Sequence, residues 1–285
     1  MRDDFALLVL SHGRADNVRT IDTMIGCGYT GKWYIIIDNE DSQSEEYYNK
    51  YGQEHVVMFD KYKKSLEVDT CDIPRKRNAV LYAREVCFEV AEKLGLRYFL
   101  ELDDDYVAFR MRYLDENDVF TSLYVKDMDS IINEVLEFMD VADMKTVAFA
   151  QTGDFIGGAS SNVFKNKLTR KAMNAFFCKV DRPFNFIGRM NDDVNAYVLG
   201  GMRGDLFFTI ADISLEQQTS QQSAGGLTDM YKENGTYVKS FFSVMVAPSC
   251  VKIAEMGCTD RRIHHLVDWS HCTPKIVSSR FRNEK

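Results

Sequence analysis

The feature that most constrains the fold is the alternation of short apolar runs with amphipathic stretches in the first half of the chain. Runs that are short, rich in aliphatic or aromatic residues and bounded by polar or glycine positions are typical of β-strands. Four such runs occupy residues 5–10, 33–37, 56–59 and 97–102. Helical periodicity is clearest at residues 77–94 and 127–139. Strands that alternate with helices predict an α/β fold whose sheet is mostly parallel and covered by helices.

With 285 residues, 45% of them hydrophobic, the chain is long enough to bury one large core as a single domain. Its net charge of −8 argues against a protein that coats nucleic acid by charge alone, although it is compatible with a local basic groove. No apolar stretch reaches the roughly 18 residues that indicate a membrane helix. These properties predict a soluble cytoplasmic protein with no membrane partner and no obligate protein partner.

Three consecutive carboxylates, Asp103, Asp104 and Asp105, follow the predicted strand at 97–102. Crowding them at the end of a buried strand is costly, because like charges repel and desolvation penalises each one. A divalent cation would relieve that cost, and Mg²⁺ or Mn²⁺ prefers oxygen ligands while keeping coordination positions open for phosphate. Asp103 and Asp105 alternate along extended backbone, so both would face the same ligand. A solvated acidic loop is the alternative, but the apolar strand before the run favours a cation site.

Polar residues also follow the first two predicted strands. Ser11, His12 and Arg14 come directly after the first strand, and Asp38 comes directly after the second. In sheets of this kind ligands gather at the carboxyl ends of the strands. Backbone N–H groups of the first loop, together with Arg14, could therefore bind an anion, although an ordinary polar turn has the same composition.

Arg77 and Asn78 belong to a basic cluster at residues 75–78 that opens the long predicted helix. Positive charge at a helix N-terminus opposes the helix dipole, so an anionic ligand there would compensate for it. A solvated basic turn is the alternative interpretation.

Asp192 and Asp193 precede a short predicted helix at residues 194–199. One of the two carboxylates could cap that helix. The other would then be available as a general base, which must lie within hydrogen-bonding distance of the hydroxyl that it deprotonates.

Three of the five histidines, His264, His265 and His271, lie within a short C-terminal segment. A lone histidine more often has a structural role. A late histidine that folds back could nevertheless complete an acidic metal site, and either His264 or His265 is the candidate.

The stretch between residues 155 and 182 combines six cations with a single acid, and phenylalanines are interleaved with the cations. This mixture suits phosphate contact and base stacking, although a solvated helix face above core phenylalanines would have the same composition. The candidate nucleic-acid contacts are Lys165, Lys167, Arg170 and Lys171.

Taken in order, these motifs resemble the GT-A glycosyltransferases. The second half also resembles the glycosyltransferases associated with TET/JBP-type base oxygenases, which are found in phages and in kinetoplastid base J synthesis. This closer resemblance lies in residues 188–195, in residues 217–231 with Gly225 and Gly226, and in residues 235–240. It covers most of the chain, from about residue 5 to residue 275.

The resemblance implies transfer of a sugar from a UDP-sugar to the hydroxymethyl group of a modified pyrimidine in DNA, either 5-hydroxymethylcytosine or 5-hydroxymethyluracil. Phages modify their DNA in this way to resist host nucleases, so the cytoplasm of an infected cell would be the setting. The implied domain is a single GT-A unit over residues 1–285. Its residues 1–150 would bind the nucleotide-sugar, and its residues 151–285 would bind the acceptor.

The resemblance also implies roles for the candidate residues. Asp193 would match the catalytic base, with Asp192 beside it, but a glutamate is common at the position of Asp192, so either aspartate could be the base. The nucleotide-sugar would meet Ser11, His12, Arg14, Asp38, Arg77, Asn78, Asp103 and Asp104. The ligands of Mn²⁺ or Mg²⁺ would be Asp105, Asp103 and His265. Hydroxymethylated DNA would meet Lys165, Lys167, Arg170, Lys171, Arg189, Gly225 and Gly226.

Two other functions stay open. A GT-A enzyme could glycosylate a saccharide or a small molecule, and a non-catalytic module could bind a nucleotide-sugar or nucleic acid without turnover. A nucleotidyltransferase is disfavoured, because the N-terminal region has no glycine-rich loop with a lysine of the kind that binds triphosphates.

Overall fold

The computed structural model describes residues 1–72, 77–218, 237–256 and 262–275. The strands in these ranges are β1 (Phe5–Leu10), β2 (Lys32–Asp38), β3 (Val56–Phe59), β4 (Tyr98–Asp103), β5 (Tyr106–Leu114), β6 (Phe120–Tyr124), β7 (Thr146–Gln151), β8 (Leu168–Thr169), β9 (Phe176–Lys179), β10 (Phe207–Gln217), β11 (Val251–Met256) and β12 (Arg262–Val267). The α-helices are α1 (Arg19–Gly26), α2 (Ser44–Tyr51), α3 (Lys61–Ser65), α4 (Leu81–Lys93), α5 (Met128–Val141), α6 (Asn162–Asn166), α7 (Asp192–Arg203) and α8 (Tyr237–Val246). None of these helices combines the length and the apolar character needed to cross a membrane.

A mixed sheet of ten described strands runs in the order β3-β2-β1-β4-β9-β7-β10-β5-β6, with β8 paired to β10. β1 is parallel to β2 and β4, and β2 is parallel to β3. β9 lies antiparallel between β4 and β7, while β10 is parallel to β7. The predicted α/β class is confirmed, with a parallel half formed early in the chain and a mixed half beyond β4.

The pairings bring several strand ends to one edge of the sheet. Since β4 and β7 are both antiparallel to β9, they run in the same direction as β1, β2 and β10. Their carboxyl ends therefore lie along the same edge. β1, β2, β4, β7 and β10 end there at Leu10, Asp38, Asp103, Gln151 and Gln217, respectively.

Most predicted elements of the first half are confirmed. The strands at 5–10 and 56–59 have the predicted bounds, and those at 33–37 and 97–102 differ by one residue at each end. The helix predicted at 127–139 begins at Met128, because the Asp127 side chain caps it by accepting a hydrogen bond from the Ser130 amide at 3.1 Å.

The helix predicted at 77–94 is shorter than expected, because α4 begins at Leu81. Arg77 precedes the helix and extends to Glu40, whose carboxylate accepts a hydrogen bond from the Arg77 Nε at 2.9 Å. The helix-dipole argument for an anion at Arg77 and Asn78 is therefore wrong in its geometry. The other two cations of that cluster lie outside the described residues.

α7 is longer than the helix predicted at 194–199 and contains Gly200 and Gly201. Tight packing explains these two glycines inside a helix. A Cβ on Gly200 would lie 2.4 Å from the Phe207 ring. The helix ends at Gly204, whose φ of +97° is the left-handed conformation that glycine adopts at helix ends.

Helices cover both faces of the sheet. Successive side chains of a strand point to opposite faces, so the two sets of β1 side chains pack against different helices. On β1, Phe5 and Leu7 pack in a core that includes buried residues of α1, α2 and α5. Ala6 and Leu8 pack on the other face in a core that includes buried residues of α4 and α7. β11 and β12 form a separate antiparallel pair that contacts α8.

The turn after α1 gives a stability prediction. Gly28 has φ +89°, and a Cβ there would lie 2.4 Å from the Lys126 carbonyl oxygen. Gly28→Ala should therefore lower the free energy of unfolding by about 2 kcal/mol or more, measured by urea denaturation. Gly26→Ala is the matched control, because Gly26 ends the helix and an added Cβ there would meet no heavy atom within 4 Å. Equal stability of the two variants would contradict this packing.

Candidate active site

Asp104 joins the loop after β1 to the aspartate run. Its buried carboxylate accepts hydrogen bonds from the Ser11 Oγ at 2.6 Å and from the Arg14 Nη1 at 2.8 Å. Burial raises the pKa of Asp104, and the bonds from Arg14 and Ser11 oppose that rise. The hydroxyl of Tyr47 lies 2.7 Å from the Ser11 Oγ and accepts a hydrogen bond from the Arg14 amide at 2.9 Å. Three residues predicted to contact the nucleotide-sugar thus contact one another.

The turn between β4 and β5 is fixed by the start of α1. The Asp104 carbonyl accepts hydrogen bonds from the amides of Arg19 at 2.8 Å and Thr20 at 3.2 Å. The Thr20 hydroxyl donates to the Asp103 carbonyl at 2.5 Å and accepts from the Tyr106 amide at 3.0 Å. The backbone that carries the aspartates is therefore held rigidly at the sheet edge.

Asp103 and Asp105 face the same group, the side-chain amide of Gln217. The Gln217 Nε2 lies 3.5 Å from the Asp103 Oδ2 and 3.5 Å from the Asp105 Oδ1. Its carbonyl oxygen accepts a hydrogen bond from the Asn174 Nδ2 at 3.2 Å, which turns the amide nitrogen toward the acids. The two carboxylates of the predicted cation site therefore come together at the end of β10.

The electrostatics of this pair fit a divalent cation. Burial, followed by the nearby charges of Asp105 and Asp104, raises the pKa of Asp103 to about 7, although Arg84 opposes the rise. Burial and Asp104 also raise the pKa of Asp105. Two half-buried carboxylates whose ionisation is disfavoured are oxygen ligands of the type that Mg²⁺ and Mn²⁺ accept.

His12 and Asp38 form a hydrogen-bonded pair at the ends of β1 and β2. The His12 Nδ1 lies 2.7 Å from the Asp38 Oδ2, and the hydrogen bond raises the pKa of His12. Burial disfavours ionised Asp38, but the contacts with His12 and with Lys61 at 3.0 Å lower its pKa overall. Lys61 is not among the residues predicted from the sequence, although it lies just beyond the predicted strand at 56–59.

Arg84 is the central cation of the site, and it too is absent from the residues predicted from the sequence. Its guanidinium lies 3.1 Å from the Asp192 Oδ2, 3.4 Å from the Glu101 Oε1 and 3.9 Å from the Asp103 Oδ1. The Arg84 side chain is only 4% exposed. One buried cation therefore joins the predicted cation site to the predicted catalytic helix.

The position of Arg84 could have been recognised from its spacing. Arg84 lies three residues before Cys87 and seven before Ala91, which are apolar residues of the same buried helix face. A charged residue on such a face almost always has a buried partner.

The acids around Arg84 outnumber it. Burial raises the pKa of Glu101 well above its ordinary value, against the attraction of Arg84. Burial also raises the pKa of Asp192 to about 6, again against Arg84. Neither carboxylate oxygen of Glu101 has a hydrogen-bond partner among the described residues. The cluster therefore depends on the one guanidinium for its compensation.

Asp192 and Asp193 lie in the first turn of α7, so neither is the residue that caps it. Asn191 occupies the capping position with φ +51°, a left-handed conformation that asparagine tolerates better than most residues. Its side-chain amide donates to the Lys239 carbonyl of α8 at 2.8 Å. Asp193 is 7% exposed and accepts a hydrogen bond from the Val194 amide at 2.7 Å.

His265 lies beside this helix start. Its Nδ1 is 3.5 Å from the Asn191 Nδ2, and the His264 ring is 4.2 Å away. Burial, with smaller effects from His264 and nearby lysines, lowers the pKa of His265 to about 3, so its imidazole is neutral as a metal ligand requires. Within the described ranges, however, no three side chains of His, Cys, Asp or Glu are arranged to hold a metal, so Asp103, Asp105 and His265 do not form such a group.

The predicted DNA-binding cations mostly contact other groups of the protein. Lys167 donates to Asp212 at 2.8 Å, Lys171 pairs with Asp154, and Arg189 donates to Asp72 at 2.9 Å. Arg170 lies over the Trp269 ring, 4.6 Å from its centroid, while Lys165 is exposed. Gly225 and Gly226 lie outside the described residues.

The phenylalanines of the basic stretch are core residues. All five are buried: Phe176, Phe184 and Phe186 pack against one another, Phe177 packs in the other main core, and Phe164 packs in a separate cluster with Phe155. The idea that they stack with bases is therefore wrong.

Removing the central cation should destabilise the protein. Arg84→Met leaves buried carboxylates without their counter-ion, so we expect it to lower the free energy of unfolding by about 3–5 kcal/mol near neutral pH. Lys93→Met, an exposed change on the same helix, should stay within about 0.5 kcal/mol of the wild type. Urea denaturation measures both.

The loss of stability in Arg84→Met should also depend on pH. Without Arg84, the raised pKa values of the buried acids let the folded variant bind protons at pH values where the unfolded chain does not. Its stability should therefore rise, relative to the wild type, as the pH falls from about 7.5 to about 5. A pH-independent penalty would contradict this electrostatic account.

Two solved structures show a distant likeness to the chain. Glucosyl-3-phosphoglycerate synthase from Mycobacterium tuberculosis, in complex with Mg²⁺ and UDP, is 9% identical, with 92% of this chain and 87% of that chain covered and a TM-score of 0.48. Mannosyl-3-phosphoglycerate synthase from Rubrobacter xylanophilus is 11% identical, with 93% of this chain and 86% of that chain covered and a TM-score of 0.46. No curated protein matches the chain.

A family model described as TET-Associated Glycosyltransferase matches residues 5–226, which is well over half of the chain. The matched range includes the aspartate run, Arg84 and the start of α7, and it ends before His265. The match confirms the family and the glycosyltransferase class that the sequence motifs predict. The chain therefore belongs to the TET-associated glycosyltransferase family.

Proposed function

We propose that this chain is a metal-dependent GT-A enzyme that transfers a sugar from a UDP-sugar to the hydroxymethyl group of 5-hydroxymethylcytosine or 5-hydroxymethyluracil in DNA. The observation that carries the proposal is the contact of one buried guanidinium with both Asp103 and Asp192. It links the carboxylates suited to a cation with the helix that presents Asp193. The proposed setting is the cytoplasm of a phage-infected cell, where modified bases resist nucleases.

Asp103 and Asp105 would hold Mn²⁺ or Mg²⁺, since their carboxylates face one side chain and their ionisation is disfavoured. When bound, the cation would neutralise the diphosphate of the departing UDP. His265 would be a further ligand only after a rearrangement, because the described residues do not place it with the two aspartates as a ready site.

The donor would bind along the strand ends. His12 and Asp38, supported by Lys61, would meet the nucleoside, while the Arg14 guanidinium would meet its phosphates, because the amides of Ser11, Gly13, Arg14 and Ala15 already donate to the protein. Asp104 and Ser11 would act indirectly by fixing the loop after β1.

Asp193 would act as the general base. It would accept the proton of the hydroxymethyl group while the acceptor oxygen bonds to the anomeric carbon. The bond from that carbon to the β-phosphate oxygen of UDP breaks in the same displacement. Asp192 is hydrogen-bonded by Arg84, so its carboxylate is the less available of the two.

A saccharide or small-molecule acceptor is the second candidate. The observation in its favour is that Lys167, Lys171 and Arg189 already pair with acids of the protein. Contact with DNA phosphates would have to replace those pairs or rely on Lys165 and Arg170. Residues 219–236, which lie outside the described ranges, could also contribute.

The proposal is tested by incubating the protein with UDP-sugars, Mn²⁺ and hydroxymethylated DNA and measuring the mass of the bases. Asp193→Asn should lower the rate by roughly 100-fold or more, because a general base contributes at least that much. Asp105→Asn should lower it comparably by weakening the cation site. Asp181→Asn, at an exposed aspartate of the same half, is the matched control and should keep full activity.

Full activity in both site variants would contradict the assignment. Transfer to free saccharides but not to DNA would support the second candidate instead.

A further inference from the structure

We propose that Arg84 is a positioning residue for glycosyl transfer, and that it fixes the first turn of α7 so that Asp193 meets the acceptor. The inference rests on the function proposed above, because it takes Asp193 as the base. Arg84 itself would touch neither sugar nor acceptor, since its side chain is buried.

The guanidinium has little freedom to move. It lies over the rings of Phe176 and Phe186, 5.2 Å and 5.3 Å from their centroids. Both rings are buried, one on β9 and the other in the segment that leads to α7. The two rings are nearly perpendicular, at 80° to each other, so contact with both restricts the position of the guanidinium.

Only one of the three nearby carboxylates receives a hydrogen bond from Arg84 among the described residues. The Arg84 Nη1 donates to the Asp192 Oδ2 at 3.1 Å. Glu101 and Asp103, at 3.4 Å and 3.9 Å, interact with it by charge alone. The directional contact of this cation is thus with α7.

The contact separates the roles of the two neighbouring aspartates. Successive residues of an α-helix point about 100° apart, so a tie from Asp192 to Arg84 in the interior turns Asp193 to another side. In the described part of the chain, the hydrogen bond that Asp193 receives comes from its neighbour Val194. The carboxylate of Asp193, which is not tied to Arg84, is therefore the one available to accept a proton.

A second tie connects the start of α7 to α8. The Asn191 amide donates to the Lys239 carbonyl at 2.8 Å and to the Ser243 Oγ at 3.0 Å, both on α8. Arg84 from α4 and Asn191 toward α8 together determine where the helix begins. Loss of Arg84 would remove the tie between α4 and the first turn of α7.

The experiment compares Arg84→Met, Arg84→Lys and the double variant Arg84→Met with Glu101→Gln. The double variant removes a stranded buried charge, so it separates stability from positioning. Lys93→Met is the control for substitution on α4. For each protein the donor KM, the kcat per folded molecule, the rate of UDP-sugar hydrolysis without acceptor, and the hydrogen exchange of α7 amides are measured.

Positioning predicts a kcat about 100-fold lower in Arg84→Met, with the donor KM changed less than about fivefold. Arg84→Lys should recover part of the lost rate. The double variant should regain stability but not kcat. Amides at residues 192–196 should exchange faster in Arg84→Met and in the double variant, while those at 198–203 exchange as in the wild type.

Wild-type kcat in the double variant, or exchange that accelerates evenly along α7, would overturn the inference and leave Arg84 a folding residue. Failure of the proposed function has a different signature, because the wild-type protein would then transfer no sugar to hydroxymethylated DNA. In that case donor hydrolysis and the exchange pattern at residues 192–196 still decide the role of Arg84.

Discussion

The buried interaction of Arg84 with Glu101, Asp103 and Asp192 is the constraint on which the rest of the site depends. Three acids from two parts of the chain, β4 and α7, approach one another in an interior where uncompensated charge is costly. A single guanidinium makes that approach possible. The same contact fixes the distance between the sheet edge and α7, so charge compensation and active-site geometry are one requirement.

The sheet supplies the second requirement, which is a common edge for the polar groups. Parallel strands bring Ser11, Asp38 and Asp103 to that edge, and β10 adds Gln217 from late in the chain. Asp104 accepts hydrogen bonds from the loop after β1 and fixes that loop. Of the three aspartates, Asp103 and Asp105 are therefore the two whose carboxylates could bind a cation. One aspartate of the run is therefore structural, and the other two are the ones that we propose as cation ligands.

The elements predicted from the sequence were those whose evidence is local. Periodicity and caps located the first four strands and α5, because each pattern is read within its own segment. What could not be predicted depends on tertiary contact. Gly200 belongs to a helix because Phe207 packs on it, and Lys171 is unavailable because Asp154 pairs with it. The importance of Arg84 follows from partners that lie from 17 to more than 100 residues away along the chain.

The central claim is that the sheet edge at Asp103 and Asp105 binds the diphosphate through a divalent cation. Anomalous diffraction at the manganese edge, from crystals grown with UDP and Mn²⁺, tests it most directly. We predict one manganese peak within about 2.5 Å of oxygens from both aspartates and from the UDP phosphates. A manganese peak elsewhere, or UDP bound away from this edge, would contradict it.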